Sequence, residues 1–168
     1  MKSQIFAVFL MLVTTDPSAS DSSTHCGASE EVFFSCNLEG SAKTVSLCGE
    51  SSEYGSPKWV QYRFGTLGDA ELVFPAKRDG SLEKFGGVHQ TAKAIGLNIM
   101  EVWFRVGVYD YMIEHISGGE CEEQCEDSND LVVFKRGKAV MKLECRAPVI
   151  NNLWPLYGHI SADQSRRP

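Results

Sequence analysis

Residues 99–116 read IMEVWFRVGVYDYMIEHI, and their pattern decides the fold class. Met100, Val102, Phe104 and Val106 alternate with Glu101, Trp103 and Arg105. A period of two places the first set on one face of a strand and the second on the other. Val106-Gly107-Val108 carries a reversal and Tyr109 to Ile116 returns, so the stretch predicts a β-hairpin. Three further stretches have the same form: FFSCNLEGSAKTVSLCG (33–49), WVQYRFGTLGDAELVFP (59–75) and LVVFKRGKAVMKLEC (131–145). In the second of these, Val60, Tyr62 and Phe64 alternate with Trp59, Gln61 and Arg63, and residues 65–69 turn the chain. Four hairpins predict an all-β domain: an eight-stranded antiparallel barrel or a flattened β-sandwich. Pairing the first strand with the last would close it and remove exposed edges.

Between the second and third hairpins, residues 75–96 carry turn signals at Asp79-Gly80 and a flexible joint at Gly86-Gly87. This stretch is expected to be a long loop, with one or two helical turns over His89 to Ile95. The 168 residues make one domain. Lys2, an apolar run from Ile5 to Val13 and the small residues Ser18-Ala19-Ser20 predict an export signal over residues 1–20. That leaves a single β domain over 21–160 and a disordered tail over 161–168. No other run is long enough to cross a bilayer, so no membrane insertion is expected after signal cleavage, and the location is periplasmic or secreted.

Six cysteines (Cys26, Cys36, Cys48, Cys121, Cys125 and Cys145) behind an export signal predict three disulfides. Cross-strand partners must share a face. Cys36 and Cys145 both lie on apolar faces, and a bridge between them would staple the first strand to the last. A Cys36–Cys48 bridge within the first hairpin has convenient spacing but needs a bulge. Cys121–Cys125 closes a local loop under either scheme. Cys26 then falls to Cys48, or to Cys145 if the hairpin bridge forms.

The net charge of −6 argues against a nucleic-acid partner and suits a basic protein. Glu120, Glu122, Glu123, Glu126, Asp127 and Asp130 crowd a loop (117–130) around two cysteines. Such a rigid acidic loop would lose little entropy on entering a basic cleft. Trp59 and Arg63 face outward on one strand and Trp103 and Arg105 on another, the residue types of binding hot spots. The scattered histidines and the lone Cys-x3-Cys spacing argue against a metal site, and no cofactor is expected. No nucleophile–base motif is present, so catalysis is not expected.

FSCNLEGSAKTVSLCG, QYRFG, ELVFP, Gly107-Val108-Tyr109-Asp110-Tyr111 and RGKAVMKLEC together resemble small exported, mostly uncharacterised bacterial β-proteins. In architecture the chain is similar to periplasmic lysozyme inhibitors. Membrane-associated inhibitors of c-type lysozyme carry a Ser-Gly-x-x-Tyr loop. Here Ser51-Ser52-Glu53-Tyr54 lacks the glycine, and Ser117-Gly118 has no tyrosine at the required spacing, so no inhibitor residue carries over. The resemblance implies a non-catalytic inhibitor or immunity protein that occludes the cleft of a lysozyme-like hydrolase or a delivered toxin. The alternative is a small-ligand or glycan-binding barrel, with Tyr62, Phe64, Phe104 and the segment from Phe85 to Ile95 lining a pocket.

Overall fold

The structure is a computed structural model that describes residues 24–120, 125 and 127–168. The expected export signal lies outside the described residues. Nine strands form: β1 (Glu31–Leu38), β2 (Lys43–Ser51), β3 (Pro57–Thr66), β4 (Asp69–Phe74), β5 (Phe85–Ala92), β6 (Leu97–Val106), β7 (Tyr109–Ser117), β8 (Ser128–Lys135) and β9 (Lys138–Asn151). They make one antiparallel sheet in the order β4-β3-β2-β1-β9-β8-β7-β6-β5.

The all-β class and the four hairpins are as expected; the strand count and the closure are not. The ninth strand is β5, in the stretch expected to be a loop with helical turns. Gly86 and Gly87, read as a joint, are strand residues placed where side chains approach the backbone. A Cβ on Gly86 would sit 2.4 Å from the Trp103 indole nitrogen, and one on Gly87 would sit 2.4 Å from Ile160 Cδ1. Glycine is what lets these neighbours close in. Within His89 to Ile95, Lys93–Ile95 forms a short 3-10 turn, and Leu82–Lys84 forms another just before β5. The first and last strands do pair, but in the middle of the sheet, so the edges are β4 and β5. The result is a curled half-barrel, neither a closed barrel nor a flattened sandwich.

The curl is held by rings that meet across the concave face. Phe74 of β4 stacks on Phe104 of β6 at 4.6 Å and meets Phe85 of β5 edge-on at 5.7 Å. Strand register delivers these rings: Phe34, Leu47, Tyr62 and Phe74 align across β1 to β4. Phe85, Phe104, Tyr111, Val133 and Met141 align across β5 to β9.

The chain after β9 turns back into the concave face and fills one end of it. Leu153 and Leu156 are fully buried there, with Ile160 beside them. Ser161 then pairs in parallel with Gly86 at the β5 edge, accepting from the Gly87 amide at 2.9 Å and donating to the Phe85 carbonyl at 3.1 Å. Beyond it Arg167 reaches Glu101 on the convex face at 2.5 Å. Ser161 and Arg167, in the stretch expected to be a disordered tail, thus hold to the β5 edge and to Glu101.

Two disulfides join described cysteines: Cys26–Cys48 and Cys36–Cys145. This is the parity-consistent scheme, with Cys36–Cys145 tying β1 to β9. Cys125 is also disulfide-bonded. Cys121, expected as its partner, lies outside the described residues. Bridges of this kind persist in oxidising compartments outside the cytoplasm. Among the described residues no helix is long and apolar enough to cross a membrane.

Candidate functional site: the open mouth of the half-barrel

The end of the concave face away from the C-terminal plug is left open by the described residues. A cavity of about 370 Å³ opens there between β3–β4 on one side and β7–β9 on the other. Its size falls within the range of small-molecule sites. Each strand supplies its concave-face residues: Tyr62 and Phe64 from β3, Leu72 from β4, Tyr109 and Tyr111 from β7, Val133 from β8, and Met141 and Leu143 from β9. Here β9 runs past the end of β1, whose pairing with it stops at Leu38 and Cys145, and Val140 is 55% exposed and Met141 50%. These apolar side chains stand where β9 is paired on one side only, by β8.

Tyr62 forms the floor. Its ring packs 4.7 Å from Phe104 and 6.1 Å from Tyr111, and its hydroxyl is buried with no hydrogen-bond partner among the described residues. A buried hydroxyl without a partner is uncommon and carries a desolvation cost. Burial, reinforced by Tyr111, pushes the Tyr62 phenol well above its ordinary pKa, so it stays protonated and able to donate. Tyr111 is shifted the same way, by burial first and then by Tyr109. The one charged side chain in the lining is Glu71, which is ion-paired with Lys43 at the rim.

Part of this site follows the sequence expectation and part does not. Tyr62 and Phe64 line the cavity as expected for the pocket alternative. Phe104 is one layer deeper, enclosed by Phe74, Tyr62, Phe85 and Tyr111. Residues 85–95 contribute nothing to the lining; β5 lies at the sheet edge, with its first residues against the plug. Tyr109, Tyr111, Val133, Met141 and Leu143 were not singled out from sequence. Their shared strand parity with Ile113, Leu131 and Cys145 was the available signal.

The outward-facing residues expected to bind a partner each have an intramolecular contact. Trp59 is buried, with the Arg78 guanidinium 4.1 Å over its ring and its indole N–H donated to Glu50 at 3.3 Å. Arg63 makes a two-pronged pair with Glu30 at 2.6 and 2.9 Å and donates to the His25 carbonyl at 2.7 Å. That pair holds the Glu30 carboxyl below its ordinary pKa. Trp103 is buried against Gly86, with its indole N–H unpartnered among the described residues. Arg105 is exposed and donates to the buried Asp110 at 2.5 Å. In the acidic loop, Glu120 and Asp127 are exposed. Glu122, Glu123 and Glu126 lie outside the described residues. Asp130 is buried in β8, bound by Lys142 at 3.1 Å and Ser128 at 2.6 Å.

Asp130 belongs to a row of carboxylates on the convex face. Glu101, Glu114, Asp130 and Glu144 are directly opposite one another across β6 to β9. Lys142 and Arg167 each pair with one member. Burial first, then Glu101 and Asp130, raise the Glu114 carboxyl above its ordinary pKa, while Lys142 and Arg167 oppose the shift. Among the described residues no group of three or more His, Cys, Asp or Glu is arranged to hold a metal ion.

No family model, curated protein or solved structure matches this chain.

Proposed function

We propose that this chain is an exported, non-catalytic binding protein that takes a small apolar ligand into the open mouth of its half-barrel. The observation that carries the reading is the cavity of about 370 Å³, with an apolar wall from five strands. Apolar walls with few placed polar groups are the usual form of small-ligand sites. The same wall favours an apolar ligand over a glycan, whose many hydroxyls would find few partners. The disulfides and the signal-like first twenty residues support a location outside the cytoplasm, in the periplasm or beyond the cell.

The test is a titration of the oxidised chain with the neutral, polarity-sensitive dye N-phenyl-1-naphthylamine. Saturable one-to-one enhancement is expected, and it should vanish in Leu143→Trp, which fills the cavity. Enhancement that never saturates, or that persists in that variant, would sink the reading.

A second reading is a protein inhibitor of a lysozyme-like hydrolase or delivered toxin. It is favoured by the placement of the acidic loop. The β7–β8 hairpin fixes both ends of the loop, Glu120 and Asp127 are exposed, and Cys125 is disulfide-bonded. Titration against c-, g- and i-type lysozymes in a wall-lysis assay tests it. Inhibition should be stoichiometric and weaken with salt.

A further inference from the structure

The mouth opens at the end of the sheet where the β1–β2, β3–β4, β6–β7 and β8–β9 hairpins turn. One side of its rim is basic. Lys135, Arg136 and Lys138, at the β8–β9 turn, are exposed, and none of them has an ion pair among the described residues. The Lys135 ammonium sits 5.3 Å over the ring of Tyr109, a lining residue, so this cation borders the cavity itself. The Arg136 amide donates to the Val108 carbonyl at 3.2 Å, which sets the β8–β9 and β6–β7 tips side by side. Across the mouth, Glu39 and Asp69 are exposed and Lys43 is paired with Glu71, so the cations are concentrated on the β6–β9 side.

This cluster runs against the balance of a chain whose net charge is −6. The far end of the sheet is acidic, with Glu53 exposed at the β2–β3 turn and Glu120 and Asp127 exposed between β7 and β8. Such an asymmetry turns the mouth toward a negative surface. Apolar side chains stand beside the cations: Leu67 at the β3–β4 turn, Val108 at the β6–β7 turn, and Val140 and Met141 on β9 are all exposed. Cations that meet headgroups and apolar tips that enter below them are the two parts of interfacial lipid binding. An acidic protein would satisfy the cations alone. A bilayer supplies negative headgroups and, beneath them, an apolar phase for the tips and the cavity.

Resting on the reading of the mouth as a ligand site, we propose that its rim docks on an anionic lipid bilayer, so that the cavity opens onto the hydrocarbon and the apolar ligand enters from there. The contact is peripheral, made by hairpin tips.

Flotation with vesicles tests this. The protein is the oxidised chain from residue 21, which holds every described element and omits the apolar run at 5–13 that would itself bind lipid. It should float with vesicles of phosphatidylcholine mixed with phosphatidylglycerol, not with phosphatidylcholine alone, and salt should release it. Lys135→Gln/Arg136→Gln/Lys138→Gln should weaken binding about a hundredfold, at about fivefold per cation near the surface. Val108→Asp should weaken it too, whereas Tyr54→Ser at the far end should bind as the wild type does. All these positions are exposed, so the variants are expected to fold. Without vesicles, the triple variant should take up N-phenyl-1-naphthylamine like the wild type. Flotation with neither vesicle would overturn the docking and leave the rim to an acidic protein. Equal flotation with both, or binding untouched by the triple variant or by Val108→Asp, would overturn it as well; dye uptake would in each case keep the ligand-site reading. If the protein floats as expected but takes up no dye, the ligand-site reading fails, and the route into the cavity fails with it.

Discussion

The two ends of the concave face are built from the same strands with the same alternation, yet one is filled and the other is open. At the filled end Leu153, Leu156 and Ile160 descend from the C-terminal segment and are buried. At the open end Met141, Val140 and Leu143 remain partly solvated above the Tyr62 floor. Apolar residues facing inward on every strand create a demand for burial at both ends, and the described chain meets it at only one. The lesson is that an apolar strand face does not by itself predict a dry core: what covers it comes from elsewhere in the chain, or from a ligand.

The convex faces of the two halves differ in a parallel way. On the β1–β3 half, Glu30 is shared by Arg63 and Arg78, so one carboxylate has two cations. On the β6–β9 half, four carboxylates in a row are served by Lys142 and Arg167. The pKa shifts run in opposite directions: the Arg63 hydrogen bond lowers Glu30, while burial first and then the neighbouring carboxylates raise Glu114.

Chemically matched substitutions at the two ends should give unequal costs. Leu156→Ala at the filled end should destabilise by about 3 kcal/mol, the usual loss for a fully buried leucine. Leu143→Ala at the open end should cost about 1 kcal/mol, because the side chain already borders the cavity. Urea melts of both variants check this, and equal costs would mean that the open end is as tightly packed as the plugged one.

Between these in size, Glu30→Gln should cost about 2 kcal/mol at neutral pH, since charge-assisted hydrogen bonds to arginine are lost. The folded-state pKa of Glu30 lies below its ordinary value of 4.5. Its contribution is therefore complete above that value and is lost as pH falls through the lowered one. The wild-type advantage over Glu30→Gln should shrink across that acid window in melts from pH 6 to pH 2.

The smallest effect has the opposite sign. Glu114→Gln should stabilise by about 0.5 kcal/mol at pH 7 by relieving repulsion between facing carboxylates. Because the folded-state pKa of Glu114 is raised above 4.5, the repulsion is absent below that value and appears as pH rises through the raised one. The gain should thus fade as pH drops toward 4.

How far the molecule was legible in its sequence follows the same division between strand and cover. Alternation in residues 99–116 located β6 and β7 and the concave-facing set Val102 and Phe104. Face parity was enough to favour Cys36–Cys145, since a bridge obeys the same two-residue period as packing. β5 escaped because Gly86-Gly87 signals flexibility locally. Its strand geometry is imposed by pairing with β6, and its missing side chains admit Trp103 and Ile160, partners far along the chain. The exposure pattern of Trp59 and Arg63 was also only half legible. Their strand phase was correct, but the covering groups, Arg78 and Glu30, come from loops whose path no periodicity encodes. The cavity was legible in two of its aromatic residues, Tyr62 and Phe64, but not as an unfilled space, because an absence of cover has no residue to mark it.

The Cys36–Cys145 bridge gives the molecule an unusual covalent outline. With a sequence separation of 109, it turns most of the chain into a closed ring with two short ends. Arg136, exposed at the β8–β9 turn with a φ of 51°, lies inside that ring. A single tryptic cut after Arg136 would open the ring without releasing a fragment, and the nicked protein would run as one species until reductant is added. A cut in that hairpin tip would leave all nine strands tethered.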